Sequence, residues 1–171
     1  SSDLNWTRAI DGAPWSERYL HTSLVFTPPE YVASSTAMWI IGGYDNNVTG
    51  CVGGFECNDV WYSEDGTTWT RAIDGAPWSE RYLHTSLFFN NQMWIIGGFD
   101  ADASGCVGVN ECNDVWYSAD GTTWTRAIDG APWSERDSHT SLVFNSRMWI
   151  IGGDNDASGC IGSNVCNDVW Y

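Results

Sequence analysis

The chain is predicted to be all-β, and three observations predict it. No stretch of its 171 residues sustains apolar positions at helical spacing. Gly, Thr, Ser, Asn and Asp punctuate the chain roughly every ten residues, the rhythm of short strands joined by turns. One pattern also recurs three times: Met-Trp-Ile-Ile-Gly-Gly, an acidic loop holding two cysteines, then Asn-Asp-Val-Trp-Tyr, at residues 38–62, 93–117 and 148–171. With 43% hydrophobic and 15% aromatic residues, Trp foremost, there is ample material for one core.

Each copy reads as four strands. In the second copy these are HTSLFF at 84–89, MWIIGG at 93–98, NDVWY at 113–117 and TTWTRAI at 122–128. All four are rich in the β-branched and aromatic residues that suit a pleated surface. Ser-x-Asp-Gly at 63–66 and 118–121 supplies the turn between the third and fourth strands, because Gly adopts positive φ at low cost. Arg8, Arg71 and Arg126 mark equivalent points. The longer first interval comes from one insertion, TPPEYVASSTA at 27–37, where the other copies have only 90–92 and 145–147. The identity of 67–81 and 122–136 indicates recent duplication or deliberate construction, and the insertion and the drifting loops favour the former.

Four strands repeated at a period of about 55 residues predict blades of a β-propeller. Each unit resembles a kelch repeat, on Arg81-x-x-His84, Met93-Trp-Ile-Ile-Gly-Gly98, Asp114-Val-Trp-Tyr117 and Trp124. The resemblance covers essentially all of residues 1–171. It implies three blades of four antiparallel strands, at 18–73, 81–128 and 136–171, the last completed by residues 1–10 of the same ring or of a neighbouring chain. Three blades are too few for a closed ring. A six-bladed dimer closed by strand exchange is therefore expected, with an open filament or a piece of a longer array as alternatives.

Charge narrows the partners. Twenty-two acidic residues face seven basic ones, all Arg, and the net charge of −15 repels nucleic acid and anionic membranes. No apolar run is long enough to span a bilayer as a helix. The six cysteines fall as Cys51/Cys57, Cys106/Cys112 and Cys160/Cys166, one pair per repeat, which suggests a local disulfide in each loop. Disulfides imply an oxidising compartment, so an extracellular or secreted chain is expected.

The loops between the second and third strands carry the sharpest chemical pattern. Asp100, Asp102 and Ser104 stand at positions 1, 3 and 5, Gly105 at 6 and Glu111 at 12; Asp45, Asn47, Thr49, Gly50 and Glu56 repeat the arrangement. This resembles an EF-hand calcium loop, in which alternate oxygen ligands converge and a glycine lets the chain wrap the ion. In the third loop Asp154, Asp156 and Ser158 are present, but Val165 replaces the glutamate, so weaker calcium binding is expected there. The competing reading is a disulfide-clamped solvent loop whose aspartates make turns.

A second candidate set is Trp15, Arg18, Trp78, Arg81, Trp133 and Arg136. Aromatic planes beside guanidinium forks suit carbohydrate or carboxylate ligands, whereas the structural alternative pairs each Arg with a nearby acid to tie blades together. His21, His84 and His139 head the first strands and are read as hydrogen-bonded edges, with no nucleophile at a matched position. Asn5 and Asn47 lie in glycosylation sequons, and Asn47 is thereby claimed both by a glycan and by calcium. Together these features predict a non-enzymatic extracellular binding or assembly module that associates with copies of itself and presents an acidic, aromatic face to a protein or glycan ligand. A subunit of an extracellular fibre or sheath and a lectin-like propeller are the alternatives.

Overall fold

A computed structural model describes residues 5–47, 50–51, 54–102, 105–106, 110–155, 160 and 164–171. The described residues form twelve strands: β1 (Arg18–Tyr19), β2 (Thr22–Phe26), β3 (Ala37–Asp45), β4 (Glu56–Ser63), β5 (Thr70–Ile73), β6 (Thr85–Phe89), β7 (Gln92–Phe99), β8 (Glu111–Ser118), β9 (Thr125–Ile128), β10 (Thr140–Phe144), β11 (Arg147–Asp154) and β12 (Val165–Trp170). They make three antiparallel sheets, so the all-β expectation holds. In the first sheet β1 and β2 both pair with β3, followed by β4 and β5; the second runs β6-β7-β8-β9 and the third β10-β11-β12. Among the described residues no helix is long and apolar enough to cross a membrane.

The innermost strand of each blade is broken at one point. Leu20, Leu83 and Ser138 take positive φ of 56°, 55° and 53°, which turns the chain between the arginine and the His-Thr-Ser stretch. The break serves the neighbouring blade: Leu83 N–H donates to the Leu20 carbonyl at 3.2 Å, and Ser138 N–H to the Leu83 carbonyl at 3.1 Å. Residues 5–10, expected to form a fourth strand, belong to no sheet here, and Trp6 is exposed. A lone segment with no strand edge beside it leaves its amides to water.

The core lies between blades. Trp39, Ile41 and Val60 of the first blade pack against Trp78, Met93, Ile95, Trp116 and Trp124 of the second. Leu87, Ile96 and Val115 of the second meet Ile150 of the third, with Met148, Trp133 and Trp170 around them. Among the described residues, nothing packs against the same strand faces of the third blade. Leu142 is 43% exposed where Leu87 is 7%, Ile151 is 39% where Ile96 is 1%, and Val169 is 55% where Val115 is 3%.

The insertion at 27–37 folds over the side carrying the Asp-Gly turns. Tyr62 donates to the Val32 carbonyl at 2.7 Å, and Tyr31 reaches into the second blade to donate to Asp120 at 3.2 Å.

Candidate functional site

Strands alternate in direction, so the cysteine loops and the segments at 74–81 and 129–136 collect on one side of the molecule, opposite the Asp-Gly turns. Three layers build this loop side.

The deepest layer is the arginine set. Arg81 donates to both oxygens of Asp114, at 2.6 and 3.0 Å, to the Gly97 carbonyl at 3.0 Å, and to the hydroxyl and carbonyl of Ser79 at 3.1 and 3.2 Å. All five guanidinium donors are thereby used. Arg18 holds Asp59, and Arg136 holds Asp168, in the same way. The three arginine side chains are at most 1% exposed. Trp61, Trp116 and Trp170 donate to the same three aspartates, and hydrogen bonding from Arg136 holds Asp168 down to about 2. These arginines consequently cannot meet a ligand, which corrects the ligand-binding reading of Arg18, Arg81 and Arg136. Of the accompanying tryptophans, Trp78 is buried and Trp15 and Trp133 are half-buried. The side chain locks its own blade, while the backbone joins the preceding one: Arg81 N–H donates to the Cys57 carbonyl and Gly43 N–H to the Arg81 carbonyl, a pattern repeated by Arg136 with Cys112 and Gly98. The Gly-Gly pair permits this approach. A Cβ on Gly97, whose φ is +57°, would lie 2.8 Å from the Arg136 carbonyl.

The histidines seal the same seams nearer the axis. Thr22 and His84 share a hydrogen bond of 2.8 Å, and Thr85 and His139 one of 2.9 Å. Burial and the neighbouring arginine lower His84 to about 3 and His139 to about 4, so both rings are neutral near pH 7.

The middle layer is the cysteine loops. Cys51–Cys57, Cys106–Cys112 and Cys160–Cys166 are bonded, with Cα separations of 5.0, 4.9 and 4.9 Å. Asp45 and Asp100 are fully buried and organise their loops, accepting from the amides of Asn47 and Asp102 at 2.7 and 3.0 Å; Asp100 also accepts from Gly105. The other Asp45 oxygen, Oδ2, is buried without a hydrogen-bond partner among the described residues. Strand register places Asp154 opposite Val165, as Tyr44 is opposite Glu56 and Phe99 opposite Glu111. Asn155, not Asp154, is therefore the counterpart of Asp45 and Asp100. Thr49, Ser104, Asp156 and Ser158 lie outside the described residues, and among those described no three His, Cys, Asp or Glu side chains gather as a metal site. Asn5 and Asn47 are both exposed.

The outer layer is a cleft over the seam between the first two blades, of about 340 Å³, lined by Tyr44, Phe55, Glu56, Glu80, Ala101 and Asp102. Glu56 does not turn back into its own loop. Both its oxygens face the Ala101 amide of the next blade, at 3.1 and 3.0 Å. Burial and the charges of Asp100, Asp102 and Glu80 raise it to about 7, against the opposing pull of that amide. Tyr44 stacks on Phe55 with centroids 5.9 Å apart and meets Tyr82 edge-on at 5.2 Å. The sequence reading missed this cleft, since its walls come from different repeats. It also left the partners of the arginines unnamed, although Asn-Asp-Val-Trp supplies one aspartate per arginine.

Comparison with known proteins agrees with this architecture. The KLHDC2/KLHL20/DRC7 Kelch-repeats domain matches residues 1–171. The chain belongs to the kelch-repeat family. The leucine-zipper-like transcriptional regulator 1 homolog of Drosophila melanogaster is 28% identical over 96% of this chain and 15% of its own length. The mouse Rab9 effector protein with kelch motifs is 30% identical over 80% of this chain and 33% of its own. The chain thus spans a third or less of these relatives. The structure of YjhT superposes with a TM-score of 0.64 at 18% identity, over 90% of this chain and 50% of that one, and supports the same fold.

Proposed function

We propose that this kelch chain is a non-enzymatic, protein-binding propeller module whose docking surface is the loop side. The observation that carries the proposal is the seam cleft: a concave, aromatic-walled site between blades, on the side where each repeat projects its longest loop. The mouse relative is named an effector, which supports a binding role. Peptides selected from a random library should lose affinity on Phe55→Ala and keep it on Glu64→Gln, a change in an Asp-Gly turn on the opposite side. Selection of peptides that only opposite-side substitutions disturb would overturn the assignment.

The finer parts of the proposal have separate supports. Three disulfides favour an oxidising, extracellular setting. The uncovered flank of the third blade favours self-association with the first blade of a second copy, where Met38 is 42% exposed against 0% for its counterpart Met93. Calcium is favoured at the first loop by the unpartnered Asp45 oxygen. On this reading millimolar calcium raises the melting temperature and a chelator lowers it, and an unchanged melting curve refutes calcium binding.

A further inference from the structure

We infer that the cleft between the first two blades is a receptor for a cationic side chain, an arginine or lysine presented by a basic partner segment. The inference rests on the docking role proposed above and names the chemistry it serves.

Three features of the cleft converge on a cation. Its walls are aromatic: Tyr44 and Phe55 lie parallel within 7°, Phe55 is 43% exposed, and Tyr44 is braced by Tyr19 and Tyr82. Such ring faces attract a guanidinium or ammonium, more strongly where water is partly excluded. Among the described residues its remaining polar side chains are carboxylates, Glu56, Glu80 and Asp102, with no basic residue in the lining. The whole chain, at a net charge of −15, adds an attractive field that speeds the arrival of a basic segment.

The first seam differs from the second in the feature that matters. Glu111 and Glu135 repeat Glu56 and Glu80, but Asn110 replaces Phe55. The two glutamates recur while the exposed aromatic wall does not, and Ala157 stands at the position of Asp102, so the first seam is the preferred site.

Glu56 reaches from its own blade across the seam to the Ala101 amide. The groups facing it are Tyr44 from β3, Glu80 and Tyr82 from the segment entering the second blade, and Asp100, Asp102 and the Ala101 amide from the next loop.

The probe is an end-capped Gly-Ser-Arg-Ser-Gly peptide, with the same peptide carrying Glu in place of Arg, titrated into the disulfide-bonded chain and followed by amide chemical shifts. The Arg peptide should shift signals at Tyr44, Phe55 and Asp102 and bind at least about tenfold more tightly than the Glu peptide. The pair Glu80→Gln and Asp102→Asn should weaken it about tenfold, and Phe55→Ala severalfold. Glu64→Gln, which removes one carboxylate charge on the opposite side, should leave affinity unchanged. Equal binding of both peptides, or an equal loss on Glu64→Gln, overturns the inference. Preference of the cleft for the Glu peptide also sinks it while sparing the docking role; no shift on the loop side with either peptide, together with failure of the library selection, sinks both.

Discussion

At the scale of single residues, His84 and His139 set the acid limit of the fold. Each is buried at a seam, bonded to a threonine of the preceding blade, with its affinity for protons lowered by burial and by an adjacent arginine. Unfolded histidine takes up a proton near 6.5, whereas the folded rings resist until about 3 and 4. Their stabilisation is therefore complete above pH 6.5 and lost as pH falls through this window, by up to about 1.4 kcal/mol per pH unit for each ring. Glu56 acts oppositely: its raised value favours the fold below its ordinary 4.5 and ceases to do so as pH passes about 7. With two rings against one carboxyl, the melting temperature should fall steadily from pH 6.5 to pH 4. Replacing both histidines with Gln should flatten that decline, and an unaltered profile would reject this assignment. The sequence placed these histidines at strand edges, and the structure agrees. It also weighed the arginines as a ligand ring, because residue type alone cannot say whether a guanidinium faces a solute or its own blade. The deciding fact is spatial: Asp114 lies thirty-three positions from Arg81 along the chain.

The element that decides blade packing is the Gly-Gly end of β3, β7 and β11. A register shift between Ile41 and Gly43, and between Ile96 and Gly98, bends the strand where the next blade's arginine segment crosses it. Gly97→Ala would force a Cβ against the Arg136 carbonyl and His139 and hold alanine at φ +57°. A loss of about 1–3 kcal/mol is expected, measurable by urea denaturation; an alanine variant as stable as the parent would show that the seam yields. Strands and turns of this kind were legible in the sequence, since alternation and Asp-Gly turns are local signals. Loop equivalence was not. Asp154 follows Gly153 directly and occupies the position of Tyr44 and Phe99, so its chemical type pointed to the wrong counterpart and strand register corrected it. The seam cleft was equally hidden, because Glu56 and Asp102 meet only once two blades are side by side.

At the scale of the whole molecule, the uncovered third flank is the feature with the largest free energy at stake. Leu142, Ile151 and Val169 face water while their counterparts in the second blade are buried, and covering an aliphatic side chain stabilises by about 1.5–3 kcal/mol. Light scattering should accordingly report twice the mass of one chain, and Val169→Glu should return it to the mass of one; a monodisperse single chain before mutation would refute self-association through this flank. The repeat architecture was readable from spacing alone, yet the flank became apparent only by comparing the burial of equivalent residues.

The insertion at 27–37 bears on a different matter, the uniqueness of the folded state. Residues 67–81 and 122–136 are the same sequence, so while the chain is folding a strand of one copy can pair with the wrong neighbour at almost no energetic difference. Tyr31 and Val32 exist in only one copy; Tyr62 of the same blade holds the Val32 carbonyl, and the bond from Tyr31 to Asp120 forms only when the first and second blades are side by side. The strap marks one end of an otherwise degenerate series and so gives the correct order of blades an energy that the shuffled orders lack.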